Sequence, residues 1–334
     1  MNAVPVKSGA GVTGTVTPVP ADLLPHRLVL ALMKRALLIL IPIALAVLAG
    51  IYLLAGRGGD RIVVGGKKFT EGYIMSAMVT AVLRDHGYEV EEKIDMGSGV
   101  VREAQVNGQI DLYWEYTGTA YVMHHNMSDP AVIADPQRVY DAVQRMDGPL
   151  GLVWLEPAPF NNTYTLLMTR EKAEAWSIRS VSDLAARVKA HPEGVTLASN
   201  AEWFARPDGF QGLGAAYGFQ FPLDRVVKMD SGLIYRALRE GEVDVGMGYS
   251  TDARIVALDL LGLRDDKAFF PTYNPALVMR RVVLERHPEL PGLLNPIARR
   301  LDMDTITRLN YQVDIEKRSR DEVARTWLSE QGLL

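Results

Sequence analysis

Three short segments combine tyrosine, lysine and hydroxyl side chains in a way that suits holding a small polar molecule. They are Lys67-Lys68-Phe69-Thr70-Glu71, Tyr113-Trp114-Glu115-Tyr116-Thr117-Gly118-Thr119 and Gly248-Tyr249-Ser250-Thr251-Asp252. Groups that make or break bonds are thin by comparison. The chain has no cysteine, which excludes thiol nucleophiles, disulfide scaffolds, Cys-based zinc sites and a lipid-modified N-terminal cysteine. Its six histidines show no His-Glu-x-x-His or other close metal spacing, and the adjacent His124 and His125 would not face one another on either regular element. Gly209, Gly212, Gly214 and Gly218 lack the spacing and the preceding strand of a phosphate loop, and no Gly-x-Ser-x-Gly elbow occurs. The sequence therefore predicts binding, with no metal, no cofactor and no catalytic residue.

Each segment lies just after a strand-like run. Residues 61–65 are β-branched and end in glycines, and 70–86 carry Ile74, Met78, Ala81 and Val82 at helical spacing. Residues 88–94 and 110–113 read as further strands around a helix at 100–107, a pattern that implies parallel connections. It recurs with strands at 194–198 and 243–247 and helices opening at 212–217 and 233–240, so a second α/β lobe is expected. In open α/β sheets ligands bind outside the carboxyl ends of strands, where the three segments fall.

Composition fits this picture. With 334 residues and 48% hydrophobic side chains the chain can bury a sizeable core, which excludes disorder and fibres. Residues 1–60 hold five basic side chains (Lys7, Arg27, Lys34, Arg35, Arg57) against Asp22 and Asp60. Of the 36 basic and 40 acidic residues in the whole chain, the remainder is therefore net acidic, which argues against a nucleic-acid partner. Residues 36–55 carry no charge over a length of roughly 30 Å as a helix, enough to span a bilayer. His26, Arg27, Lys34 and Arg35 precede that run, so the basic flank should stay cytoplasmic and the acidic body should cross. A transmembrane anchor at 36–55 is expected, behind a disordered cytoplasmic segment at 1–35 rich in proline and small residues. The competing reading is a cleaved secretory signal ending near Val47-Leu48-Ala49, which would release the body into the periplasm or medium.

The three segments, taken with Pro159-Phe160-Asn161-Asn162-Thr163-Tyr164, Ala205-Arg206-Pro207-Asp208-Gly209 and Pro271-Thr272-Tyr273-Asn274-Pro275, resemble the glycine-betaine-binding proteins of osmoprotectant importers. The resemblance runs from about Ile62 to the C-terminus and includes the endings Leu309-Asn310-Tyr311-Gln312-Val313-Asp314 and Glu330-Gln331-Gly332-Leu333. It implies a bilobed α/β periplasmic-binding-protein fold that feeds quaternary ammonium solutes to an ATP-binding-cassette permease without catalysis. Because such chains cross between lobes twice, one lobe is expected at 61–161 plus 273–334 and the other at 162–272, in a monomeric body.

The resemblance also implies a site. A trimethylammonium group has no N–H to donate, so a receptor surrounds it with electron-rich ring faces, each desolvated contact contributing on the order of 2 kcal/mol. The matching positions are Tyr116, Tyr164, Tyr249 and Tyr273, with Arg206 and Lys67 for a carboxylate and Thr119 for a further hydrogen bond. Gly118 lets its loop approach closely. Two departures stand out. Asn162 and Thr163 are neutral where some relatives place an acid, and Gly72 replaces a frequent glutamine.

Other roles compete for these residues. A tyrosine at a strand end commonly packs its ring and bonds its hydroxyl, Arg206 before Pro-Asp-Gly suits a salt bridge beside a turn, and one of Lys67 and Lys68 should be solvated. Glu71 reads as a helix-start acid, Glu202 as a partner for Arg206 one turn on, Asp252 as an anion near a helix start, and Trp114 and Trp203 as core. The rival functions are a receptor for choline, carnitine, ectoine or proline betaine, a periplasmic enzyme on the same scaffold, and a signalling sensor. The sensor is disfavoured because about 35 residues before the span leave no room for an output domain.

Overall fold

The computed structural model describes residues 61–334, which fold into two α/β lobes, each built on its own sheet. The expectations for 1–35 and 36–55 lie outside the described residues. Among the described residues no helix is long and apolar enough to cross a membrane.

The first lobe is built on strands β1 (Arg61–Lys67), β2 (Glu89–Met96), β3 (Leu112–Tyr116) and β4 (Leu152–Pro157). The second uses β5 (Tyr164–Thr169), β6 (Leu197–Ser199), β7 (Val226–Lys228), β8 (Val245–Tyr249) and β9 (Leu260–Gly262). The chain then returns to the first sheet as β10 (Pro275–Arg280), giving the orders β2-β1-β3-β10-β4 and β7-β6-β8-β5-β9. Stretches 158–163 and 263–274 connect the two sheets.

Both sheets are mixed, with antiparallel strands added to the parallel connections expected. The pairs β1–β2, β1–β3, β6–β7 and β6–β8 are parallel, joined through helices as the pattern required. However, β5 runs antiparallel to β8 and β9, and β10 antiparallel to β3 and β4. Each of these two is the strand on which the chain enters a sheet after crossing, so it arrives from the opposite direction without a crossover helix.

Strand ends also moved. The third strand runs to Tyr116 and the late one to Tyr249, so both tyrosines close strands rather than opening the loops behind them. All five residues of β3 are buried, and such a central strand shows no alternation from which to read its end.

The helix Thr70–Asp85 buries twelve of its sixteen residues between the first sheet and the C-terminal helices Met303–Asp314 and Arg320–Glu330. Trp114 locks it to β3 by donating from its indole to the Met75 carbonyl at 3.1 Å. The helix Val181–Ala190 begins with a reciprocal cap between Ser180 and Asp183, and Ser319 caps Arg320–Glu330.

A buried ionic cluster ties the helix Ser98–Val106 to β4. Asp147 is fully buried and accepts from both terminal nitrogens of Arg102, from His125 at 2.7 Å and from the Trp154 indole at 2.7 Å. Burial opposes its charge, but His125 and Arg102 outweigh that and hold its carboxyl below the usual range. A carboxyl depressed in the folded state stabilises it above the unfolded value, and that contribution is lost as the pH falls through the folded one. Acid titration of unfolding should therefore show wild type losing its advantage over Asp147→Asn below about pH 4, with the largest gap near neutrality.

Candidate functional site

A cavity of about 440 Å³ lies at the carboxyl ends of β1, β3 and β8, where the two lobes meet. Lys67, Tyr116, Thr119, Tyr164, Tyr249 and Tyr273 all line it. Strand register explains much of this. Tyr164 stands directly opposite Tyr249 across the β5–β8 pair, and Pro275 opposite Tyr116 puts Tyr273 beside the turn Thr117–Thr119.

The rings form a connected arc. Tyr249 and Tyr164 have centroids 5.5 Å apart, and Tyr273 meets Tyr164 edge-on at 5.4 Å. Phe69, which carries no assigned role among the sequence expectations, completes it by stacking on Tyr249 with centroids 5.4 Å apart and lying 5.9 Å, centre to centre, from Tyr116. Its only sequence signal was its place inside the first motif. Hydroxyls anchor three of the tyrosines: Tyr116 donates to Glu71 at 2.5 Å, Tyr273 to Asp208 at 2.5 Å, and Tyr249 accepts from the Asn200 amide at 3.1 Å. Burial raises the phenol of Tyr249 to about 12, with the Glu202 charge adding to it, and carries Tyr116, Tyr164 and Tyr273 well above the ordinary value. The site thus presents neutral phenols.

The two basic residues assigned to a carboxylate already have carboxylates of their own. Lys67 is buried and paired with Glu115, which also accepts from Tyr113 at 2.7 Å and His124 at 2.9 Å. Although burial opposes its charge, Lys67 and His124 keep Glu115 well below the normal carboxyl range. Lys67 still faces the cavity, 5.1 Å from the Tyr116 ring centre, while Lys68 is the more exposed of the pair. Arg206 lines no part of the cavity. It is clamped on Asp208 through two bonds of 2.7 and 2.6 Å and lies 5.4 Å from the centre of the Tyr164 ring. The salt bridge weighed for Arg206 is therefore present, with Asp208, two residues along the turn, as the partner.

Trp114 and Trp203 are buried core. Glu202 does pair with Arg206, at 3.5 Å, and also accepts from the Ser98 backbone at 3.1 Å and hydroxyl at 2.7 Å across the lobes. Asp252 lines the cavity but is held by Arg254 at 2.5 Å. Glu71 does open its helix, as expected of a helix-start acid, but it is 1% exposed and sits in the cavity wall. Gly118 fits its reading, because a Cβ there would lie 2.7 Å from the Thr272 carbonyl and from the Tyr273 ring.

This geometry, a ligand-sized cavity walled by aromatic rings between two α/β lobes, defines the class of solute-binding receptors. A family model described as the substrate binding domain of an ABC-type glycine betaine transport system matches residues 60–330. A glycine-betaine-binding protein of Pseudomonas aeruginosa is 40% identical over 86% of this chain and 93% of its own length. A carnitine transport binding protein of Listeria monocytogenes is 31% identical over 82% of this chain and 88% of its own. A crystal structure of a glycine betaine/carnitine/choline ABC transporter superimposes with a TM-score of 0.65 at 30% identity, covering 81% of this chain and 99% of that one. The chain belongs to this family of substrate-binding proteins of ABC importers, which serves transport and not catalysis.

Gly118→Ala should push the Thr117–Thr119 turn away from Tyr273 at a cost of about 1–3 kcal/mol. Chemical denaturation should register that loss, and near-ultraviolet circular dichroism should show the tyrosine environment altered.

Proposed function

We propose that this protein captures a quaternary ammonium osmoprotectant, glycine betaine in the first instance, and delivers it to the permease of an ABC importer. The observation that carries the reading is the convergence of Tyr116, Tyr164, Tyr249 and Tyr273, with Phe69, on one cavity. Ring faces attract a cation that has no N–H to offer, and a desolvated chamber strengthens that attraction. The naming of the Pseudomonas relative for glycine betaine supports the choice of solute, while that of the Listeria relative for carnitine keeps the rival alive.

In this reading Lys67 and Thr119 face the acid end of the solute, and Arg206 acts through Tyr164, whose ring it backs. The lobes comprise 61–161 plus 273–334 and 162–272. They close about the two connecting stretches, and contact with both lobes favours the closed form. The body works as a monomer outside the cytoplasm, held by an anchor at 36–55.

Calorimetric titration of the purified protein with glycine betaine, choline, carnitine, proline betaine and ectoine tests this. At least one quaternary compound should bind, and Tyr249→Ala should weaken it by at least about tenfold. A protein that bound none of them would defeat the proposal. Arg206→Ala separates two roles, since a loss confined to glycine betaine marks a carboxylate contact, whereas equal losses for betaine and choline mark support of Tyr164.

A further inference from the structure

Every charged side chain that lines the cavity has an oppositely charged partner, with one exception. Lys67 is paired with Glu115, and Lys68 faces Asp230 at 3.8 Å. Glu202 faces Arg206 at 3.5 Å, and Arg254 joins both Asp252 at 2.5 Å and Asp314 at 3.3 Å. Glu71 lines the same cavity, and among the described residues no basic side chain forms an ion pair with it.

The donors around Glu71 are all neutral. Its Oε1 accepts from the Tyr116 hydroxyl at 2.5 Å and the Asn162 amide at 3.0 Å, and its Oε2 from the Thr251 hydroxyl at 2.7 Å. These donors come from β3, from the first connecting stretch and from the loop after β8, so the carboxylate is gripped from both lobes. Hydrogen bonds from neutral donors orient a carboxylate but leave its charge uncompensated, and a buried charge without a counter-ion is costly. Burial accordingly raises its pKa against the pull of those donors. A helix-start role does not explain the arrangement, because dipole stabilisation needs neither full burial nor a donor from the opposite lobe.

We propose that Glu71 is the counter-charge of the ligand's cationic head, a specificity-determining residue that makes the site select a quaternary nitrogen over an isosteric quaternary carbon. This rests on the quaternary ammonium reading. The bound cation offsets the buried charge and favours the ionised carboxylate, whose bonds from Tyr116 and Thr251 are then charge-assisted. Capture of the cation and the joining of the lobes thereby become one event.

The test is titration of full-length wild type and Glu71→Gln with choline and glycine betaine, each paired with the isostere in which a quaternary carbon replaces the nitrogen. Wild type should prefer the nitrogen compound by at least about tenfold, and Glu71→Gln should lose at least about tenfold for it while binding the carbon compound within about twofold of wild type. Equal losses for both members of a pair would reveal a merely structural acid, and an unchanged affinity for the nitrogen compound would remove any role; either overturns the proposal. Should the variant fail to fold, the wild-type pair decides, because equal affinity for nitrogen and carbon compounds also overturns it. Tight quaternary ammonium binding left intact in Glu71→Gln would sink this inference and leave the receptor standing, whereas no binding of any quaternary compound by wild type would sink both.

Discussion

Three of the four tyrosines that share the chamber have hydroxyls taken out of water together with their rings, and those hydroxyls need partners in the wall. That constraint organises the centre of this molecule. Glu71 receives Tyr116, Asp208 receives Tyr273, and Asn200 reaches Tyr249. Each partner is itself fixed: Asp208 by the fork of Arg206, Asn200 by its place as the cap of the helix Ala201–Ala205, and Glu71 by donors from the first connecting stretch and the loop after β8. The wall thus holds the rings in place where the lobes meet.

The same constraint explains why basic residues beside the cavity are not free cations. A lysine or arginine buried next to aromatic rings needs an anion within reach, and Glu115 and Asp208 supply it. The consequence is a wall whose fixed charges are mostly spent on one another.

Much of this was legible from residue order. Five of the six motifs supply residues that line the cavity, the helical spacing of Ile74, Met78, Ala81 and Val82 located the helix that buries them, and the tight approach at Gly118 followed from its lack of a side chain. What escaped was pairing. Asp208 stands two residues from Arg206 and reads as a turn residue, and Glu115 stands next to Tyr116 in a segment read as a strand exit, because residue type carries no record of which buried charge will face which. Glu71 was hidden for a related reason: an acid in a first turn has a sufficient local explanation, and only the tertiary fold brings Thr251 and Asn162 to it. The entry strands β5 and β10 were likewise obscure, since direction within a sheet is set by the path between lobes rather than by local pattern.

That path has a bearing on how the chain assembles. The sheet of β5 to β9 is drawn from one uninterrupted stretch and holds all its strands by residue 262. The other sheet has β10 wedged between β3 and β4, so during synthesis those two strands keep unpaired edges until residue 280 has emerged. The later-encoded lobe can therefore be complete while the earlier one still waits, and a chaperone guarding the nascent chain would find its exposed backbone along β3 and β4.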